Sequence, residues 1–116
     1  MFEQWITEVK KEAAPEGLGM ILIHNGLVRA TSKEGRPVRG MKLTYDAEKL
    51  GRAVAENEKR EGVSAIRVWI NRGDLQVGDD IMRLLVAGRF RTDVLPVFES
   101  LLTIIKREIV REQEIQ

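Results

Sequence analysis

The chain reads as one α+β domain, residues 1–116, with a mixed or antiparallel sheet covered by helices in the order α-β-β-α-β-β-α. Three observations predict it. The length suits one hydrophobic core and is too short for two comfortable domains. Apolar residues recur at helical spacing in three stretches. Between them lie four strand-like stretches, which come in pairs separated by single helices. That arrangement favours a mixed or antiparallel sheet over a doubly wound parallel one.

Phe2, Trp5, Ile6, Val9 and Ala13 define the first helix, which Pro15-Glu16-Gly17 stops. Met20-Ile21-Leu22-Ile23 with Leu27-Val28 suits a buried strand, bent or bulged at His24-Asn25-Gly26. Residues 30–37, ATSKEGRP, read as an exposed loop. A second strand follows, in which Met41, Leu43 and Tyr45 alternate with Lys42, Thr44 and Asp46. One loop between two strands suggests that they pair antiparallel. Asp46 is a cap for a helix through AEKLGRAVAENEKRE, with Leu50 and Val54 inward and Gly62 past its end. VSAIRVWI is a half-buried strand, and DIMRLLVAG is another, reached by a hairpin-like connection through NRGDLQVGDD. Thr92 or Asp93 starts the last helix, Pro96 is tolerated in its first turn, and Leu95, Phe98, Leu101, Leu102, Ile105 and Ile109 form its apolar stripe.

Nineteen basic and eighteen acidic residues leave a formal charge of +1, which gives no sign of a nucleic-acid or membrane partner. The absence of cysteine removes disulfides, thiolate nucleophiles and thiolate-bound metals, and one histidine argues against a zinc site. No apolar run suits a signal peptide or membrane span, so a cytoplasmic location is expected. Phosphate loops, dinucleotide fingerprints, serine elbows and metal-binding histidine pairs are absent.

What remains is a set of basic residues at element ends and in loops: Arg29, Lys33, Arg36 and Arg39 around the first loop, Arg72, and Arg89 and Arg91 before the last helix. Arginine's planar fork suits phosphate and carboxylate, so these can converge on an anion, although charged loop residues are ordinarily just solvated. Lys106 is the odd residue of the last helix. No carboxylate occupies the spacings at which helical ion pairs form. It is either a stem lying on apolar surface or a lysine set among apolar and cationic neighbours for use as acid, base or nucleophile. His24 is read as structural.

The segments GMILIHNGLVR, EGRPVRGMKLTYD and GDLQVGDDIM, and the fifteen-residue interval from Arg91 to Lys106, resemble the large, catalytic subunit of molybdopterin synthase, the MoaE family, in order and spacing. The resemblance implies the family's alpha/beta hammerhead fold and a role in molybdenum cofactor biosynthesis. Its small partner there is a ubiquitin-like protein whose Gly-Gly tail ends in a thiocarboxylate. Two sulfurs pass to cyclic pyranopterin monophosphate to form the dithiolene. On this resemblance Lys106 is the catalytic lysine, and Arg29 and Arg91, with Arg36 and Arg39 nearby, bind substrate or position the tail. No metal or resident cofactor is implied, and a homodimer flanked by two small subunits is expected. Three positions depart from the pattern. Phe90 stands where a histidine usually precedes the arginine, Gln113 falls near a second lysine's place, and Asn71-Arg72 replaces His-Arg. The alternative is a degenerate, non-catalytic relative that binds a ubiquitin-like tail, a phosphorylated pterin or itself.

Overall fold

A computed structural model describes all 116 residues. The first helix, α1 (Phe2–Glu12), ends where Ala13 and Ala14 turn extended and Pro15 opens a single 3-10 turn, Pro15–Gly17. Its apolar face packs by Val9, Trp5 and Ile6. It covers one side of a three-stranded antiparallel sheet in the order β1 (Met20–Leu27), β5 (Asp80–Gly88), β3 (Val63–Ile70). Successive side chains of a strand point to opposite faces. Leu85 and Ala87 of β5 therefore meet α1 together with Ala65, while Leu84 and Val86 enter the larger core with Ile66 and Ile70. Both faces of β5 are covered, which is why its sequence runs apolar instead of alternating.

The other side of that sheet is closed by α2 (Ala47–Glu58) and α3 (Arg91–Ile104). Asp46 caps α2 as its sequence predicts, its side chain accepting from the Lys49 amide at 3.0 Å. Leu50 and Val54 pack partly buried against the core, while Ala53 and Asn57 are the fully buried positions. Glycine is required at residue 62, where φ is +81°, and a Cβ there would run into the Asp93 carboxylate.

Four expectations change. The first two strands do not pair with each other: β1 pairs with β5, whereas β2 (Gly40–Tyr45) belongs to a second antiparallel sheet, ordered β4 (Gly73–Gln76), β2, β6 (Val110–Ile115). The segment between β1 and β2 is long enough to carry the chain from one sheet to the other. It folds as a small loop of its own, with a Thr31–Pro37 bridge, the Val38 N–H donating to the Ala30 carbonyl at 2.8 Å, and buried Ser32 and Val38. Next, the order gains two strands. The NRGDLQVGDD connection does join antiparallel neighbours, β3 and β5, but its middle leans over as β4 to pair with β2.

Third, α3 begins at Arg91 with Phe90 at its cap position, so Pro96 lies in the second turn. Asp93 does not cap it and instead accepts from Arg89 at 3.0 Å. Fourth, α3 stops at Ile104, and the chain widens into a π-helical turn, Ile105–Ile109, before entering β6. The buried residues are Val94, Val97, Leu101, Ile105 and Ile109, and Leu95 faces outward at 38% exposure. Four residues advance an α-helix about 40° past a full turn. The repeated spacing of four from Val97 onward would thus rotate Ile105 and Ile109 off the core, and the wider turn holds them on it.

A large packing loss should come at the centre of that stripe. Leu101 is fully buried, so Leu101→Ala is expected to lower unfolding free energy by about 2–5 kcal/mol, read from the shift of the urea midpoint at constant slope.

Candidate functional site

Where the two sheets diverge, the end of β1, the following loop, β2, the start of β5, the end of α3, the π-turn and β6 enclose an open cavity of ≈ 520 Å³. Its floor is apolar, formed by Met41, Met82, Leu102 and Ile105 among others. Its wall carries Arg29, Lys33, Lys106 and His24, and opposite charges from Glu34, Glu112 and Glu114.

Each side chain arrives there for a local reason. Lys106 follows buried Ile105 in the π-turn, so the core position immediately before it directs Lys106 outward. It joins none of the four ion pairs of the chain. Arg29 directly follows β1, and its guanidinium reaches only Thr31 Oγ1 at 3.3 Å and the Ser32 carbonyl at 3.4 Å. Most of its donors remain for a ligand. Lys33 and Glu34 stand on a tight turn closed by the Ser32 and Arg36 backbones, with Gly35 at φ +82°. Glu112 and Glu114 lie opposite Leu43 and Met41 in the β2–β6 register. Residues directly opposite share a face, so both glutamates, though exposed, stand on the cavity side of β6.

His24 shares the core-facing side of β1 with Leu22 and Gly26. Burial pushes its imidazole below the ordinary 6.5, and the charge of Lys106 pushes it further the same way. Lys106 is far from it in sequence.

The arginines singled out from the sequence separate. Arg29 lines the cavity with Lys106; Arg36 and Arg39 do not. Arg39 instead grips the end of the chain, its Nε and Nη2 donating to the Gln116 carbonyl at 3.0 and 2.7 Å. Arg91 opens α3 while Lys106 follows its far end. At about 1.5 Å per residue the two lie roughly 20 Å apart, so one chain does not bring them together. Sequence reasoning did not select Glu34, Glu112 or Glu114. Glu112 and Glu114 follow a stretch that reads as helix, and only strand pairing with β2 reveals their direction. No group of three or more metal-ligating side chains is assembled, and no helix is long and apolar enough to cross a membrane.

The architecture defines an α+β domain of two three-stranded antiparallel sheets with an open, mixed-charge cavity between them, suited to a small polar ligand or an extended tail. A match to the family of MoaE proteins spans residues 3–108. The chain belongs to the MoaE family, and membership supports a role in molybdenum cofactor biosynthesis. Its fold is similar to that of molybdopterin synthase from Staphylococcus aureus, with a TM-score of 0.78 at 21% identity over 99% of this chain and 84% of that one. It also resembles the molybdopterin cofactor biosynthesis protein E of Burkholderia multivorans, with a TM-score of 0.76 at 19% identity over 98% and 80% of the two chains. A third similar structure is the complex of subunits 1 and 2 of the molybdopterin-converting factor from Helicobacter pylori, with a TM-score of 0.71 at 15% identity over 97% and 77%. At these identities the likeness speaks for the fold. No curated protein matches the sequence.

Two outcomes are expected. His24 is the sole histidine, so its NMR titration is unambiguous: the midpoint should fall below 6.5 and move back up in Lys106→Gln. The unfolded chain takes this proton near pH 6.5. The folded chain resists it to lower pH, so the associated stability is complete above about 6.5 and is lost as pH falls through the folded midpoint. A midpoint at or above 6.5 would contradict the described surroundings. Separately, Arg39→Ala should speed hydrogen exchange across Arg111–Ile115 while changing global stability by no more than about 0.5 kcal/mol. Unchanged exchange would mean that the strand needs no clamp.

Proposed function

We propose that this chain is the large, catalytic subunit of a molybdopterin synthase, which moves sulfur from the C-terminal thiocarboxylate of a ubiquitin-like small subunit to cyclic pyranopterin monophosphate. The observation that carries the reading is the convergence of Lys106 and Arg29 on one cavity from opposite ends of the sequence. The similarity to a two-subunit complex supports a small-subunit partner.

In this reading Arg29 and Lys33 hold the phosphate, as directed and mobile cations respectively. The carboxylates of Glu112 and Glu114 can accept from N–H groups of the pterin ring. The sulfur comes with the partner, which fits a chain without cysteine. Each transfer replaces the tail's sulfur by an oxygen from water and leaves a carboxylate, so protons must move at the reacting atoms. Lys106 is the side chain we assign to that work. Arg91 is too far along α3 to serve its own cavity, and it would serve that of a second copy in a homodimer flanked by two small subunits. The other reading, a binding module without turnover, draws on Phe90, whose exposed ring stands where the resemblance leads one to look for a titratable group.

A single-turnover assay separates them. With a thiocarboxylated small subunit supplied, wild type should convert cyclic pyranopterin monophosphate, and Lys106→Ala should do so roughly 10²–10⁴-fold more slowly with an unchanged circular dichroism spectrum. Undiminished transfer in the variant would remove Lys106 from the chemistry. No conversion by either protein, with the tail still bound, would favour the binding module.

A further inference from the structure

His24 lines the cavity with Lys106, and the proposed chemistry gives it no task. It stands where the buried face of β1 runs out into open space: Leu22 before it packs on the core, and Gly26 after it lines the cavity. A Cβ on Gly26 would come within 3.3 Å of His24 Nε2. The ring therefore lies along the strand over a residue without a side chain, which leaves that edge uncovered.

The groups sharing this cavity come from three places. Arg29, Lys33 and Glu34 come from the loop after β1, Lys106 from the π-turn, and Glu112 and Glu114 from β6. Imidazole is the side chain whose ordinary titration falls between about pH 5 and 8. His24 is the one imidazole in the cavity, and burial and the charge of Lys106 both oppose its protonation. An anion between Lys106 and the ring removes that opposition, because it offsets the lysine's field and accepts a hydrogen bond from the charged ring.

We propose that His24 is a proton-coupled anion ligand: neutral in the empty cavity, it takes one proton from solvent as a phosphate-type dianion settles among Arg29, Lys33 and Lys106, and donates to it from the ring. The inference rests on the reading of this cavity as the site of a phosphorylated substrate. It adds that binding and proton uptake are one event. Linkage makes the coupling reciprocal, so the anion binds more tightly as pH falls through the histidine's range, by the factor that the anion shifts the proton equilibrium.

Sulfate is the probe, since its charge is fixed over this range, whereas that of a phosphate ester changes near pH 6. The full-length protein, labelled for NMR, is titrated from pH 5 to 8 with and without saturating sodium sulfate, with chloride matching the ionic strength. The His24 midpoint should rise with sulfate and not with chloride, and sulfate affinity should increase tenfold for each unit of that rise. In His24→Gln, sulfate affinity should no longer vary with pH. If sulfate moves the Arg29 and Lys106 side-chain signals while the His24 midpoint stays put, this inference is overturned and the anion site stands. If chloride moves the midpoint equally, simple screening accounts for it and the inference also fails. If sulfate moves no signal of the cavity, His24 is no anion ligand. The sulfur-transfer assay with Lys106→Ala then decides separately whether the catalytic reading survives.

Discussion

Two isoleucines four residues apart must stay in the core after an α-helix of the same chain would have turned them away, and much of the site depends on how that is met. The π-turn at Ile105–Ile109 keeps both side chains buried. Lys106, immediately after the first of them, is consequently directed outward. The turn is tied down from outside as well, because the Asp46 amide donates to the Ile109 carbonyl at 3.0 Å. Asp46 is also the cap of α2, so the register of one helix start fixes the end of another. The chain leaves this turn extended and lies beside β2, which carries Glu112 and Glu114 to the wall facing Lys106.

Features set by neighbours in sequence were legible, and features set by distant partners were not. The docking face of α1, the alternation of β2 and the Asp46 cap each follow from residues within one or two turns, and each stands as read. Strand partnership is different. Periodicity tells which face of a strand is buried but not which strand lies beside it, so β1 and β2 could be paired on paper and still part company across residues 28–39. β4 and β6 escaped for a related reason. One is a four-residue piece within a turn-rich segment, and the other, VREQEI, is too polar to show a strand's apolar face. Both gain their structure from β2.

The same distinction sorts the candidate residues. Lys106 stood out because it lacks a carboxylate at helical spacing, and that observation holds within its own turn. The carboxylates arrive instead from the next strand, by pairing that no helical rule anticipates. Among the loop cations, position in the turn matters more than proximity in sequence: Lys33 faces the cavity, Arg36 does not, and Arg39 is occupied by the last carbonyl of the chain. The basic residues after Arg29 are therefore three different things in space: a cavity-facing lysine, a solvated arginine and a clamp.

Charge within the cavity bears on how it can discriminate. Arg29, Lys33 and Lys106 share with three glutamates a space smaller than two screening lengths of about 8 Å at physiological ionic strength. They largely cancel at a distance, in keeping with a formal charge of only +1 for the whole chain. Long-range attraction can then contribute little to capturing an anion or an acidic tail. On the proposed reading, selectivity comes from directed contacts made after entry, where Arg29's unused donors would recognise the anionic group and the glutamates would accept from ring N–H groups. A site built this way should hold a bare anion or a neutral ring less tightly than a molecule that carries both at the right separation.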